Sequence, residues 1–138
     1  MTSLIVDASV AIKWYLKDTG SDEAHALRGT VDDLLAPELV IAEVGNAMWK
    51  RHLRGQIEIE DALVVIDRVP RMFSWLSSLR ELSSAAMRIS ATLPHPIYDC
   101  FYLALAERER SPVVTADQRL LSAAKKLGTV EVRLLGQH

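Results

Sequence analysis

The stretch Leu4-Ile5-Val6-Asp7-Ala8-Ser9 decides how the chain is read: three apolar residues run into a carboxylate, and a helical pattern follows at once. A short, fully apolar, β-branched run is the signature of a strand buried on both faces, as in parallel sheets. Open α/β sheets place their ligands just beyond the carboxyl ends of such strands, and Asp7 stands at that address. Three further acids, Glu43, Asp99 and Asp117, occupy comparably unusual positions. Together the four form the candidate site.

Outward from Asp7, Val10, Ala11, Trp14 and Tyr15 carry helical spacing through Leu16, and Asp18-Thr19-Gly20 reads as a turn. Ser21 is expected to cap a second helix that ends near Gly29, with Asp22 and Glu23 in its first turn. Leu34-Leu35-Ala36 is a strand, and Pro37 fits the first position of a helix running to Arg54 and stopped by Gly55. In that helix Val40, Glu43, Val44, Ala47 and Met48 follow the spacing of a core-facing stripe. Glu43 is the intruder, because a buried carboxylate needs a partner, a proton or a metal. Asn46 lies three residues on, within reach of Glu43 or of something Glu43 holds.

A helix is expected over Ile59 to Val69, led by Glu58, Glu60 and Asp61 and ended by Pro70. Phe73 to Leu76 reads as a strand, and Ser78 with Glu81 as a capping box before a helix from Leu79 to Leu93. Ile97 to Ala106 opens a strongly apolar helix with Asp99 in its first turn, where the helix N-terminus stabilises a negative charge. Pro112-Val113-Val114-Thr115 then repeats the grammar of the opening. Asp117 begins a helix defined by Leu120, Leu121, Ala124 and Leu127 and ended by Gly128, and Val130 to Leu134 is a last strand. Strands alternating with helices imply a three-layer α/β/α sandwich around a central, mainly parallel sheet of about five strands.

Length and composition fit one domain over residues 1–138: 49% of residues are hydrophobic and 25% charged. A net charge of -2 argues against a broad basic surface for nucleic acid, so any polyanion contact must be local. One cysteine allows no internal disulfide, and there is neither a signal-peptide pattern nor an apolar run long enough for a membrane span. The chain therefore reads as soluble and cytoplasmic, without a membrane partner. Four carboxylates brought together need a cation, and hard divalent ions with oxygen ligands suit them; magnesium fits best, with manganese as the alternative.

The runs Val6-Asp7-Ala8-Ser9-Val10-Ala11-Ile12-Lys13-Trp14, Glu43-Val44-Gly45-Asn46-Ala47, Tyr98-Asp99-Cys100-Phe101-Tyr102-Leu103-Ala104-Leu105-Ala106 and Thr115-Ala116-Asp117-Gln118-Arg119-Leu120-Leu121 together resemble a PIN-domain protein of the VapC toxin type. They fall in the family's order and spacing across nearly the whole chain. The resemblance implies a magnesium-dependent endoribonuclease, the toxin of a toxin–antitoxin pair, acting on RNA, usually a homodimer, and blocked by a cognate antitoxin protein. It assigns Asp7, Glu43, Asp99 and Asp117 as the acids of a metal site, with Thr115 and Ser9 in polar support. Between Gly55 and Pro94 little of the signature is present, so no substrate contact is transferred there.

Simpler readings stand beside these. Asp117 also reads as a helix cap, Asp99 as a first-turn acid, and Thr115 and Ser9 as local hydrogen-bonders. Cys100 reads as a buried small residue rather than a nucleophile, and His95 as a loop histidine. Lys50, Arg51, His52 and Arg54 suit either RNA phosphates or the end of a helix dipole. Trp14, Trp49 and Trp75 read as core or interface side chains. Two rival functions remain: a PIN-like RNA- or protein-binding module without cleavage, and a phosphatase using Asp7 as nucleophile. Haloacid-dehalogenase-type phosphatases usually carry a second Asp two residues after the first, where Ser9 stands.

Overall fold

The computed structural model describes residues 2–136. Five strands, β1 (Ser3–Val6), β2 (Asp33–Pro37), β3 (Trp75–Ser77), β4 (Val113–Thr115) and β5 (Val132–Leu134), form one sheet in the order β3-β2-β1-β4-β5. Every pairing is parallel. Seven α-helices among the described residues flank the sheet in a three-layer α/β/α sandwich: α1 (Ala8–Ala11), α2 (Ser21–Ala26), α3 (Leu39–Leu53), α4 (Ile59–Arg68), α5 (Leu79–Thr92), α6 (Ile97–Glu109) and α7 (Gln118–Leu127).

The strand order reverses at β1. From there the chain builds outward through β2 and β3 on one side and later through β4 and β5 on the other. The crevice beyond the carboxyl ends of β1 and β4 is therefore the switch point at which such sheets bind ligands. Leu4, Ile5 and Val6 are buried, as the apolar run requires. Helix α6 lies deepest: Cys100 and every residue from Tyr102 to Ala106 are buried, so its lack of a polar stripe records burial on all sides.

Several local expectations need adjusting. The first helix spans only Ala8–Ala11 and tightens into a 3₁₀ turn over Ile12–Trp14, where the buried Trp14 indole donates to the Ala24 carbonyl at 2.8 Å and meets the Phe73 ring. Gly20, not Ser21, precedes α2, at φ 91°, a conformation that favours glycine. The Ser21 hydroxyl instead closes the preceding turn, accepting from the Asp18 amide and donating to the Leu16 carbonyl. Pro37 ends β2 opposite Ser77 rather than opening α3, because pairing with β3 extends the strand and the Glu38 amide donates to the Ser77 carbonyl. Ser78 precedes α5 without a side-chain cap bond, and Glu81 turns to Arg108. Trp49 and Trp75 are 51% and 40% exposed, which removes both from the core.

Leu105 is fully buried within α6, against which the sheet packs. Leu105→Ala should cost about 2–5 kcal/mol, measured as a lower denaturant midpoint with an unchanged slope.

Candidate active site

Asp7 follows β1 directly and is only 5% exposed. Its backbone carbonyl starts α1, accepting from the Val10 and Ala11 amides, while its side chain makes no cap bond. The carboxylate turns instead to β4. Register explains this: Val6 pairs with Val114, and the Asp7 amide donates to the Val114 carbonyl at 3.1 Å, which brings Thr115 beside Asp7. Asp7 Oδ2 accepts from Thr115 Oγ1 at 2.8 Å and from Ser9 Oγ at 2.6 Å.

Each hydroxyl has one proton to give, and both give it to Asp7. As acceptors, Ser9 Oγ takes the Ala116 amide at 2.9 Å and Thr115 Oγ1 takes the Asp117 amide at 3.0 Å. The 3.2 Å approach of the two hydroxyl oxygens is then a contact without a proton of its own. Thr115 and Ser9 thus tie the β1 and β4 ends together through a buried carboxylate.

Glu43 and Asp99 arrive on helices and Asp117 stands just ahead of α7, each with one oxygen engaged. Glu43 Oε1, from α3, accepts the Tyr102 hydroxyl at 2.6 Å. Asp99 Oδ2, in the first turn of α6, lies 2.6 Å from His95 Nε2. Asp117 Oδ1 caps α7 by accepting the Arg119 amide at 2.9 Å, so the capping reading of Asp117 holds beside its place in the cleft. Among the described residues the second oxygens of Glu43, Asp99 and Asp117 have no protein donor.

Asp7, Glu43, Asp99 and Asp117 line one open cleft of about 470 Å³, with Ser9, Asn46 and Lys50 also on its wall. Burial raises the Asp7 pKa against the opposing pull of its two hydroxyl donors, and the charge of Asp99 adds to the rise. Burial also pushes Glu43 up to about 7, with the Tyr102 hydrogen bond opposing and the charges of Asp7 and Asp99 reinforcing. Asp7, Glu43 and Asp99 are close enough to repel one another, the condition that a cation relieves.

Among the described residues no three His, Cys, Asp or Glu side chains are grouped so as to hold a metal ion by themselves. The donor set still fits magnesium, which is commonly held by one or two carboxylates and keeps several waters. The free carboxylate oxygens and the open cleft leave room for that arrangement.

Sequence reading missed two partners. Tyr102 is fully buried in an apolar helix, and a buried phenol wants a hydrogen-bond partner, which was the available signal for Glu43. His95 is no mere loop residue; it reaches across Pro96 to Asp99. Asn46 lines the cleft but makes no hydrogen bond to Glu43. The basic run divides, with Lys50 at the cleft, Arg51 paired to Asp18 at 2.9 Å and His52 on the Ile57 carbonyl. Cys100 is buried and its thiol is pushed up to about 11, which leaves no thiolate for nucleophilic work.

A PIN domain model matches residues 4–126. The chain belongs to the PIN-domain family. It is 31% identical over 127 residues to "Ribonuclease VapC1" of Mycobacterium tuberculosis, covering 89% of this chain and 92% of the relative. It is 28% identical over 119 residues to "Ribonuclease VapC3" of Pyrobaculum aerophilum, covering 85% and 91%. The crystal structure of PAE2754 from Pyrobaculum aerophilum superposes with a TM-score of 0.68 at 26% identity, over 95% of this chain and 90% of that one. That of FitAcB from Neisseria gonorrhoeae reaches 0.69 at 15% identity, over 94% and 95%, a likeness of fold. The PIN-type, VapC-like resemblance read from the four motifs is thus borne out over nearly the whole chain.

A carboxylate whose pKa is higher in the folded state binds its proton more tightly there, so stability falls as pH rises through the window between the unfolded and folded values. For Glu43 that window runs from 4.5 to about 7, and the raised pKa of Asp7 acts in the same direction. In metal-free buffer the melting temperature should decline across this window, and Glu43→Gln should flatten the decline. Adding magnesium at the upper end should restore stability to the wild type more than to the variant.

Proposed function

We propose that this chain is a magnesium-dependent endoribonuclease, the toxin of a VapBC-type toxin–antitoxin pair working in the cytoplasm, with RNA as substrate. The observation that carries the proposal is the convergence of Asp7, Glu43, Asp99 and Asp117 on one cleft at the sheet's switch point. The ribonuclease names of its relatives and the family match support the same reading.

In this proposal Asp7, Glu43 and Asp99 would hold one magnesium, or manganese in its place, directly or through water, and Asp117 would hold a second ion or orient the attacking water. The bound cation supplies polarisation of the scissile phosphate and a lowered pKa for water. The chain's own contribution is positional. Ser9 and Thr115 fix Asp7, Tyr102 fixes Glu43, and His95 sets the angle of Asp99. Such outer partners orient ligands and sustain their affinity. Water adds to phosphorus in line with the departing 3′ oxygen, which leaves a 5′-phosphate and a 3′-hydroxyl.

A cognate antitoxin and a second copy of the chain are the proposed protein partners. Exposed Trp49 and Leu53 on α3 and exposed Leu63 on α4 support a partner surface of this kind. A binding module without cleavage is the competing reading.

Purified protein should cut single-stranded RNA in magnesium and stop when the metal is chelated. Asp7→Asn should reduce cutting to background while circular dichroism stays native; a folded variant that still cuts would falsify the assignment of Asp7. Release of phosphate from small esters without RNA cutting would favour the phosphatase, and neither activity the binding module. Tyr102→Phe, which keeps the ring and removes the hydroxyl, should lower kcat or metal affinity about 10–100-fold, read from initial rates across a magnesium titration.

A further inference from the structure

We propose that a second cleft, beside the acidic one and lined by Arg119, Ser122 and Lys126 of α7 and by His95, binds a phosphate of the RNA strand next to the scissile bond. This rests on the ribonuclease reading above and extends it to how the strand is seated. The cleft holds about 500 Å³ and shares Asp99 with the acidic cleft, so the two are contiguous across that residue and its partner His95.

The placement follows from the helix. Leu120, Ala123 and Ala124 bury one face of α7, while Arg119, Ser122 and Lys126, spaced i, i+3, i+7, form a stripe along the exposed side. The Arg119 side chain is 87% exposed and approaches Asp117 Oδ1 only through Nε, at 3.5 Å. Its two terminal nitrogens have no protein partner among the described residues, and neither has the Lys126 ammonium. A guanidinium fork with free outward nitrogens suits a phosphate.

Electrostatics makes such a flank necessary. A cleft walled by four acids repels a polyanion, and a net charge of -2 offers no general attraction to offset that. Local cations beside the acids supply the attraction. Lys50 stands on the wall of the acidic cleft itself. The strand is thereby held by cations at the acids and beyond Asp99, with the scissile phosphate over the carboxylates.

The test measures binding and cutting separately. Binding of a fluorescent single-stranded oligoribonucleotide is followed by anisotropy in the Asp7→Asn background, against salt. Adding Arg119→Ala with Lys126→Ala should weaken binding about 10-fold or more and lower the salt slope by roughly 0.7, the value for one phosphate contact on a single strand. Arg119→Lys with Lys126→Arg should restore most of both. The charge-matched pair Arg71→Ala with Arg80→Ala, which line neither cleft, should change the slope far less. In the otherwise wild-type chain the alanine pair should raise KM more than it lowers kcat. Equal losses from the two alanine pairs, or an unchanged slope with Arg119 and Lys126 removed, would overturn the subsite. Failure of the wild type to cut RNA while the binding pattern holds would overturn the ribonuclease reading and leave the subsite standing.

Discussion

A carboxylate buried at the end of a central strand is the constraint on which the site depends. Asp7 lies between apolar β1 and α1 with almost no access to water, and an unsupported charge there is costly. The fold answers with two hydroxyls on one oxygen, Ser9 from its own helix and Thr115 from the neighbouring strand. Those hydroxyls accept the Ala116 and Asp117 amides in turn, so the same network that supports Asp7 also sets the loop leading into α7. Site geometry and strand pairing are one structure.

The acids then divide by origin. Asp7 and Asp117 follow adjacent parallel strands and are fixed by register, whereas Glu43 and Asp99 come from helices and are fixed by single side-chain partners. Tyr102 and Asp99 share α6, so the most deeply buried helix carries both a ligand candidate and the clamp on another. Packing in the core and the attitude of the acids are thereby coupled.

Periodicity made much of this legible. The apolar runs at Leu4–Val6 and Val113–Thr115 are strands, Gly55 and Gly128 follow helices, and Glu43 in an apolar stripe faces the same cleft as the other acids. What escaped was settled by partners distant in the chain. Pro37 extends β2 because β3 lies alongside, and Trp75 is exposed on an outer strand of the sheet, with the Arg108 guanidinium 5.8 Å from its ring centroid. Tyr102 finds Glu43 59 residues away. His95 was missed for another reason: its partner is only four residues off, but His95 lies in the loop ahead of α6, where no helical period marks the pair.

Thr115 and Asp7 are 108 residues apart in sequence, and that separation sets an order in time. A growing chain releases Asp7 and Ser9 from the ribosome first, then Glu43, and Thr115 with Asp117 near the end. Until β4 pairs with β1 the carboxylate has only its neighbouring serine, and the crevice has a single wall. Synthesis thus withholds the complete four-acid cleft until most of the polypeptide exists.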